Sequence, residues 1–370
     1  MCRAGTGVPD AEGDGEPSSD GSRGCPFRDS TRRLDCSMIR TTLKSALLLP
    51  ALLVVPLARG EAVATTDSPW RQVSLPAPAG CAFDTPFSFF VRESPAGPAA
   101  RLLVYFEGGG ACWDWVSCSG TFDSSVVPDE VAEYSGIFDF TNSANPFEDF
   151  TTVFIPYCTG DVHVGTATRR YGDSTARPLH HNGSRNVRAV LDWVERQGYR
   201  PPQVVVAGTS AGSYGALFHF PTIARMFPRS RLALIGDSGV PLLPDYPAIL
   251  RNWGAEPALT LEVAHREAAL AARGGTTALI TSDQDVIQSA FYIIARSNQW
   301  RTDAYRLLDR LTRTEPGFRS FIVAGSDHQL LPMDQFYRYE AGGMTLRDWV
   351  ERVVEGLPVT NRRCEACQVE

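Results

Sequence analysis

The chain has 370 residues, of which 43% are hydrophobic and 21% charged, with a formal net charge of −7. That length and apolar content suffice for a large buried core, as one domain or two. The acidic balance, with no Lys/Arg run, argues against a nucleic-acid-binding protein.

Residues 1–37 are rich in Gly, Ser, Asp and Arg and poor in aliphatics. Such a stretch buries too little apolar surface to offset its ordering entropy, so it reads as disordered or as an upstream extension outside the native product. From Met38, a basic opening (Met-Ile-Arg-Thr-Thr-Leu-Lys-Ser) leads into an apolar run at 46–58 and then Ala62-Val63-Ala64, a small-residue cleavage site. This is the pattern of an export signal over 38–64, and it makes Met38 an alternative to Met1 as the start. The run is shorter than the roughly 20 residues of a span and contains Pro50 and Pro56, so no stable membrane span is expected after cleavage. The product is therefore expected to be secreted or periplasmic.

Outside the cytosol, the six cysteines Cys81, Cys112, Cys118, Cys158, Cys364 and Cys367 read as disulfide formers. Cys364 and Cys367 form a C-x-x-C, but no second ligand pair completes a zinc set. Their pairing with each other is an expectation from proximity alone. Neither a metal nor a cofactor is expected.

Residues 65–370 read as one α/β domain with a mostly parallel central sheet flanked by helices. Strands are predicted at 87–92 and 101–106, joined by a Pro/Gly turn at 94–99, and at 152–156. Between them, 111–150 form an aromatic-rich insertion holding Trp113, Trp115, Phe122, Tyr134, Phe138, Phe140 and Phe147. Long irregular segments are often lids or binding loops, and packed loop aromatics are the plainer alternative. Trp113 and Tyr134 are the candidate substrate contacts, by stacking on sugar rings or forming an acyl pocket. A helix is predicted at 185–197 and a buried strand at 203–207. Short strands follow at 232–235, 278–281 and 320–324, with helices at 261–273, 287–298, 304–311 and 345–355.

The strand at 203–207 runs into Gly208-Thr209-Ser210-Ala211-Gly212, a G-x-S-x-G pentapeptide. It reads as a serine nucleophile on a strand-to-helix elbow, where only very small neighbours fit, or as an ordinary turn with a capping serine. Upstream, the strand ending at Phe106 meets Glu107-Gly108-Gly109-Gly110. Residues without side chains let backbone amides approach a developing oxyanion, here Gly109 and Gly110 with the N–H of Ala211 as the partner donor. No Gly-Lys-Ser/Thr follows, which excludes a phosphate-cradling loop.

Of six histidines, His328 follows the last predicted sheet strand, where it can serve as the base. His219 reads as a packing residue on the helix after the elbow, and His180 with His181 as a solvated loop pair. In the α/β-hydrolase order Ser, acid, His, three aspartates qualify: Asp283 and Asp285 after one strand, and Asp237 one strand earlier. Position does not choose among them, and helix N-capping is the plain alternative for each.

These blocks together resemble the pectin acetylesterase/Notum family of secreted serine carboxylesterases. The matching residues are Phe106-Glu107-Gly108-Gly109-Gly110-Ala111-Cys112, Pro156-Tyr157-Cys158 with Asp161 after it, Gly208-Thr209-Ser210-Ala211-Gly212, Asp237-Ser238-Gly239, Asp285-Val286-Ile287-Gln288 and His328. The resemblance implies an α/β-hydrolase-like fold, Ser210 as nucleophile, His328 as general base and Asp285 as the orienting acid, since Gln288 follows it. It also implies disulfides Cys112–Cys118 and Cys81–Cys158. In one departure, Ala111 stands where the family motif has tryptophan, and Trp113 is the candidate to compensate. The expected activity is hydrolysis of an O-acyl ester, most simply O-acetyl on a polysaccharide such as pectin. The alternatives are other acyl groups or acceptors (a fatty-acylated protein, a phenolic ester, a polyester) and a non-catalytic carbohydrate-binding protein on a hydrolase scaffold.

Overall fold

The computed structural model describes residues 69–173, 175–240, 246–255, 261–295, 297–365 and 367, all within the unit Ala64–Glu370. The expected extension 1–37 and signal 38–64 lie outside the described residues.

In chain order the strands are β1 (Arg71–Ser74), β2 (Ser88–Arg92), β3 (Leu102–Phe106), β4 (Thr151–Ile155), β5 (Thr168–Arg169) and β6 (Leu179–His180). They continue with β7 (Gln203–Thr209), β8 (Arg231–Asp237), β9 (Thr277–Ser282), β10 (Phe318–Val323), β11 (Glu340–Ala341), β12 (Met344–Thr345) and β13 (Arg362–Arg363). The helices are α1 (Gly183–Gln197), α2 (Ala211–Met226), α3 (Tyr246–Trp253), α4 (Leu261–Ala271), α5 (Val286–Ile294), α6 (Trp300–Thr314) and α7 (Leu346–Glu355). Nine strands make the main sheet in the order β1-β2-β4-β3-β7-β8-β9-β10-β13. Pairing is antiparallel between β1 and β2 and between β2 and β4, and parallel from β4 through β13. This is the expected α/β architecture, with the sheet of an α/β-hydrolase.

The inner strands are apolar at nearly every position because both sheet faces are covered. Along β7, every residue from Gln203 to Thr209 is buried. Successive side chains alternate between two cores, as the two-residue period of a strand requires. Val204 and Val206 join Leu102, Val104, Leu232 and Leu234 under α1, α2, α4 and α6. Val205 and Ala207 join Leu103, Tyr105, Ala233 and Ile235 on the other face, beneath α7 and the aromatic insertion.

That insertion is a core layer, not a lid. Ile137, Phe147 and Phe150 are fully buried and Phe138 nearly so, with Phe138 edge-on to Tyr105 at 4.8 Å between ring centroids. These rings pack with Leu103, Tyr105 and Phe154 of β3 and β4. Trp115 is the exception among its tryptophans, 63% exposed on the loop closed by Cys112 and Cys118.

Polar edge strands β1 and β13 have no apolar alternation to mark them in the sequence, and their charge blunts the sheet edges. Helix ends follow their capping chemistry: α1 and α7 both stop at a left-handed glycine, Gly198 and Gly356, and Thr345 caps the start of α7 through Asp348 N–H. The disulfides join Cys81 to Cys158, Cys112 to Cys118 and Cys364 to Cys367. The first closes a 77-residue separation, for which chain entropy gives a stabilisation of roughly 4 kcal/mol.

Phe220, on α2, is fully buried against the sheet. Phe220→Ala is expected to cost about 3–5 kcal/mol of unfolding free energy, measured by urea titration of the oxidised protein.

Candidate active site

At the end of β7 the chain reverses at Ser210, whose φ of 52° and ψ of −122° lie where residues other than glycine are rarely found. Neighbouring groups hold it there. The Ser210 N–H donates to Asp237 O at 2.8 Å, and Ser213 N–H donates to Ser210 O at 3.0 Å. The sterics of the elbow are severe on both sides. A Cβ on Gly208 would collide with the carbonyl of Gly212, and one on Gly212 would collide with the carbonyl of Phe106. The two glycines let α2 start against the ends of β3 and β7.

His328 sits in the loop after β10, and that loop is pinned by the end of β8. Asp237 Oδ2 accepts the N–H groups of Leu330 and Leu331, both at 2.7 Å. Ser238 Oγ donates to Asp237 Oδ1 at 2.8 Å and accepts Gln329 N–H at 2.9 Å. Burial holds the Asp237 carboxyl up at about 6 in spite of these donors.

The three candidate aspartates have three different partners. Asp285, fully buried, lies against His328 Nδ1, at 2.8 Å from Oδ2 and 3.0 Å from Oδ1. Its Oδ1 also accepts Ile287 and Gln288 N–H, capping α5, and its Oδ2 accepts the Gln288 side-chain amide at 2.9 Å. Capping and histidine contact coexist in one carboxylate. Asp283 instead takes the Arg301 guanidinium and the Tyr305 hydroxyl, while Asp237 serves the loop. His328 Nε2 is buried without a hydrogen-bond partner, and His328 and Ser210 line the same cleft.

The cleft encloses about 60 Å³. Gly110 and Ala211 border it beside Ser210, and Gly110 has a φ of 77° with the carbonyl of Thr121 where a Cβ would project. Gly109 does not line the cleft, and its carbonyl accepts Asp123 N–H at 2.9 Å. The N-terminus of α2 adds its partial positive charge where an oxyanion would form. The remaining wall is apolar and aromatic: Ala111, Val162, Tyr246, Trp253, Phe291 and Tyr292.

Both expected substrate contacts fall outside this lining. Trp113 is packed behind Phe291, 6.3 Å between ring centroids, and is 8% exposed. Tyr134 points its hydroxyl at Glu107 Oε1, 2.8 Å away, with its ring against Phe138 and Phe154. The wall tryptophan is Trp253 of α3, whose indole N–H donates to Cys112 O at 2.7 Å. Its contribution had no local signature, because α3 reaches the cleft only through tertiary packing.

His219 and His181 sit away from the cleft lining. His219 stacks on Phe106 and meets His163 O, as its packing reading anticipated. His181 is not solvated: it is fully buried between Thr159 O and Tyr171 Oη, and burial lowers it to about 4. Asp161, also fully buried, gathers the N–H groups of His163, Gly165 and Gly183 and the Thr159 hydroxyl, tying the loop after β4 to the start of α1. Among the described residues, no group of three or more His, Cys, Asp or Glu side chains is placed to hold a metal ion.

The stretch that carries the glycine loop and the elbow has a counterpart among known proteins. Residues 73–245 match the family model described as Pectinacetylesterase. The matched stretch takes in the glycine loop, Ser210 and Asp237, and ends before Asp285 and His328. Pectin acetylesterase 7 of Arabidopsis thaliana is 31% identical over 144 residues, which cover 37% of this chain and 36% of that protein. The palmitoleoyl-protein carboxylesterase NOTUM of Schmidtea mediterranea is 25% identical over 173 residues, 43% of this chain and 32% of that protein. Its Homo sapiens namesake is 26% identical over 172 residues, 43% and 34%. The matches span about a third of the length of these curated relatives. The resemblance to pectin acetylesterases and Notum carboxylesterases is borne out.

The different partners of Asp285 and Asp283 predict different defects. Asp285→Asn is expected to lower kcat for ester hydrolysis by about 10³–10⁴-fold with folding retained. Asp283→Asn is expected to lower thermal stability and leave kcat within a few-fold, as read by steady-state kinetics beside calorimetry.

Proposed function

We propose that this chain is an exported serine carboxylesterase that hydrolyses O-acyl esters, most simply an O-acetyl group on a polysaccharide such as pectin. The observation that carries the reading is the arrangement at His328. Its Nδ1 is engaged by a buried carboxylate, while its Nε2 is buried and unpartnered in the cleft that Ser210 also lines.

In this reading, Ser210 Oγ attacks the acyl carbon as His328 Nε2 takes its proton. The carbonyl oxygen, now negative, is received by the N–H groups of Gly110 and Ala211, and loss of one such donor typically costs about 3 kcal/mol. His328 returns the proton to the departing alcohol oxygen. It then takes a proton from water, whose oxygen attacks the acyl carbon, and returns that proton to Ser210 Oγ as the acyl–oxygen bond breaks and the carboxylic acid leaves. Asp285 keeps the imidazole in the tautomer with the proton on Nδ1 and stabilises the imidazolium. Every step is accounted for by these side chains and amides, with no cofactor. Export is supported by the three disulfides, which persist in oxidising compartments. Among the described residues no helix is long and apolar enough to cross a membrane.

A second reading, a longer or aromatic acyl group, is favoured by the apolar wall of the cleft and by alanine at 111 where the family motif has tryptophan. Chromogenic esters of increasing acyl length separate the two. An acetyl-restricted enzyme loses kcat/KM steeply beyond about four carbons, whereas the second reading places the optimum at longer chains, each buried CH₂ being worth about 0.8 kcal/mol.

Ser210→Ala is expected to reduce turnover by about 10⁴-fold or more while leaving the melting temperature nearly unchanged. A fluorophosphonate that fails to label Ser210 in the folded protein overturns the enzyme reading in favour of a binding protein.

A further inference from the structure

Glu107 joins β3 to the glycine loop, and four hydrogen bonds converge on it. Its N–H donates to Ile155 O at 3.0 Å, and its carbonyl accepts from His163 Nε2 at 2.9 Å. Its Oε2 accepts Tyr157 N–H at 2.9 Å, and its Oε1 accepts the Tyr134 hydroxyl at 2.8 Å. The residue is 7% exposed. Through Tyr157 the carboxyl is connected to the glycine loop and to the cleft wall. The Tyr157 ring occupies the space where a Cβ on Gly109 would lie, and its hydroxyl accepts the N–H of Val162, a wall residue.

The groups around this carboxyl do not suit an anion. Its two donors, the Tyr157 main-chain N–H and the Tyr134 hydroxyl, are neutral, and although both favour the anion they do not offset its burial. Asp123 and Glu130 face it with like charge, and burial adds the larger penalty, so that its pKa rises from 4.5 to about 8. The other titratable neighbours are Tyr105, Tyr134 and Tyr157, all pushed upward, and His163, which burial holds at about 3 and therefore neutral. A neutral acid can keep both bonds. A carboxylate there puts a negative charge three residues from Gly110, the loop glycine that borders the cleft, where it opposes a developing oxyanion.

We propose that Glu107 is a positioning residue for ester hydrolysis that works as a neutral carboxylic acid, clamping Tyr134 to the backbone of Tyr157 and thereby holding the Gly109-Gly110 segment beside Ser210. Its ionisation turns the oxyanion receptor down. The inference rests on the serine-esterase reading and adds to it an alkaline limit set by a residue outside the triad.

Glu107→Gln is the isosteric neutral replacement, able to accept Tyr157 N–H and donate to the Tyr134 oxygen. Fluorophosphonate labelling of Ser210 and hydrolysis of a chromogenic acetate are followed from pH 6 to 10 in both proteins. At pH 7 the two rates are expected to agree within about threefold. As the pH passes through about 8, the wild-type rate is expected to fall at least fivefold relative to Glu107→Gln, in kcat with KM little changed. Tyr134→Phe removes a bond that favours the anion, so its alkaline fall is expected at higher pH than in the wild type.

Stability gives a readout independent of turnover. The unfolded chain ionises Glu107 near its ordinary 4.5 and the folded chain near 8, so the unfolded state binds fewer protons between these values. This group's contribution therefore makes stability decline as pH rises from about 5 to about 8, and Glu107→Gln should remove that part of the decline in urea titrations. Parallel pH profiles for wild type and Glu107→Gln, in rate or in stability, overturn the inference while leaving the esterase reading intact. Absence of both labelling and hydrolysis in the folded wild type overturns the esterase reading, and the positioning role with it, whatever the stability profiles show.

Discussion

The close approach of the first turn of α2 to the end of β3 is the constraint on which the rest of the site depends. Gly212 lies so near the Phe106 and Glu107 carbonyls that no side chain fits between them. That contact puts two separate pieces of chain, the strand leading to Gly110 and the elbow at Ser210, within reach of one small molecule. It also fixes the angle at which the Ser210 backbone leaves β7, an angle the residue would not choose in an unconstrained chain. Sheet register supplies the rest. Because Phe106 is level with Gly208 and Gly208 with Gly236, the functional ends of β3, β7 and β8 arrive at the same edge.

Three aspartates at neighbouring strand ends divide the remaining work by the donors each meets. Asp237 receives backbone amides from the histidine loop, Asp283 receives Arg301 and Tyr305, and Asp285 receives the imidazole itself. Backbone amides and an arginine fix geometry; an imidazole with one free nitrogen can move a proton. Gln288 links two of these regions, since its amide donates to Asp285 and its carbonyl oxygen accepts Val240 N–H just beyond β8. Gln288 thus holds the acid at the same oxygen, Oδ2, that lies nearest His328 Nδ1.

What the sequence disclosed follows from which signals are local. The valine run of β7, the glycines of the elbow and the helical spacing of α1 report their own burial, and each stands where its pattern put it. The choice among Asp237, Asp283 and Asp285 was not local, because all three follow strands and differ only in what the fold brings to them. The resemblance favoured Asp285, and it is the one that meets His328. Tyr134 misled for a related reason: an aromatic in a long loop carries no mark of which sheet face it will cover. Here it packs against Phe138 and Phe154. The cleft wall from α3, with Tyr246 and Trp253, was likewise hidden, since eight residues of helix carry little periodic signal. His181 looked solvated because its neighbours are polar, yet Tyr171 and the loop after β4 enclose it.

The hydrogen bond from Trp253 to Cys112 ties the wall of the cleft to the loop that follows Gly110. The residues that decide what fits beside Ser210 are therefore fastened to those that border the reacting atoms. Position 111 lies at the seam, in the same apolar cluster as Trp253. A larger side chain at 111 would press on this cluster, and overpacking of that kind is itself destabilising. A change that reshapes the pocket here therefore disturbs the loop beside Ser210 with it.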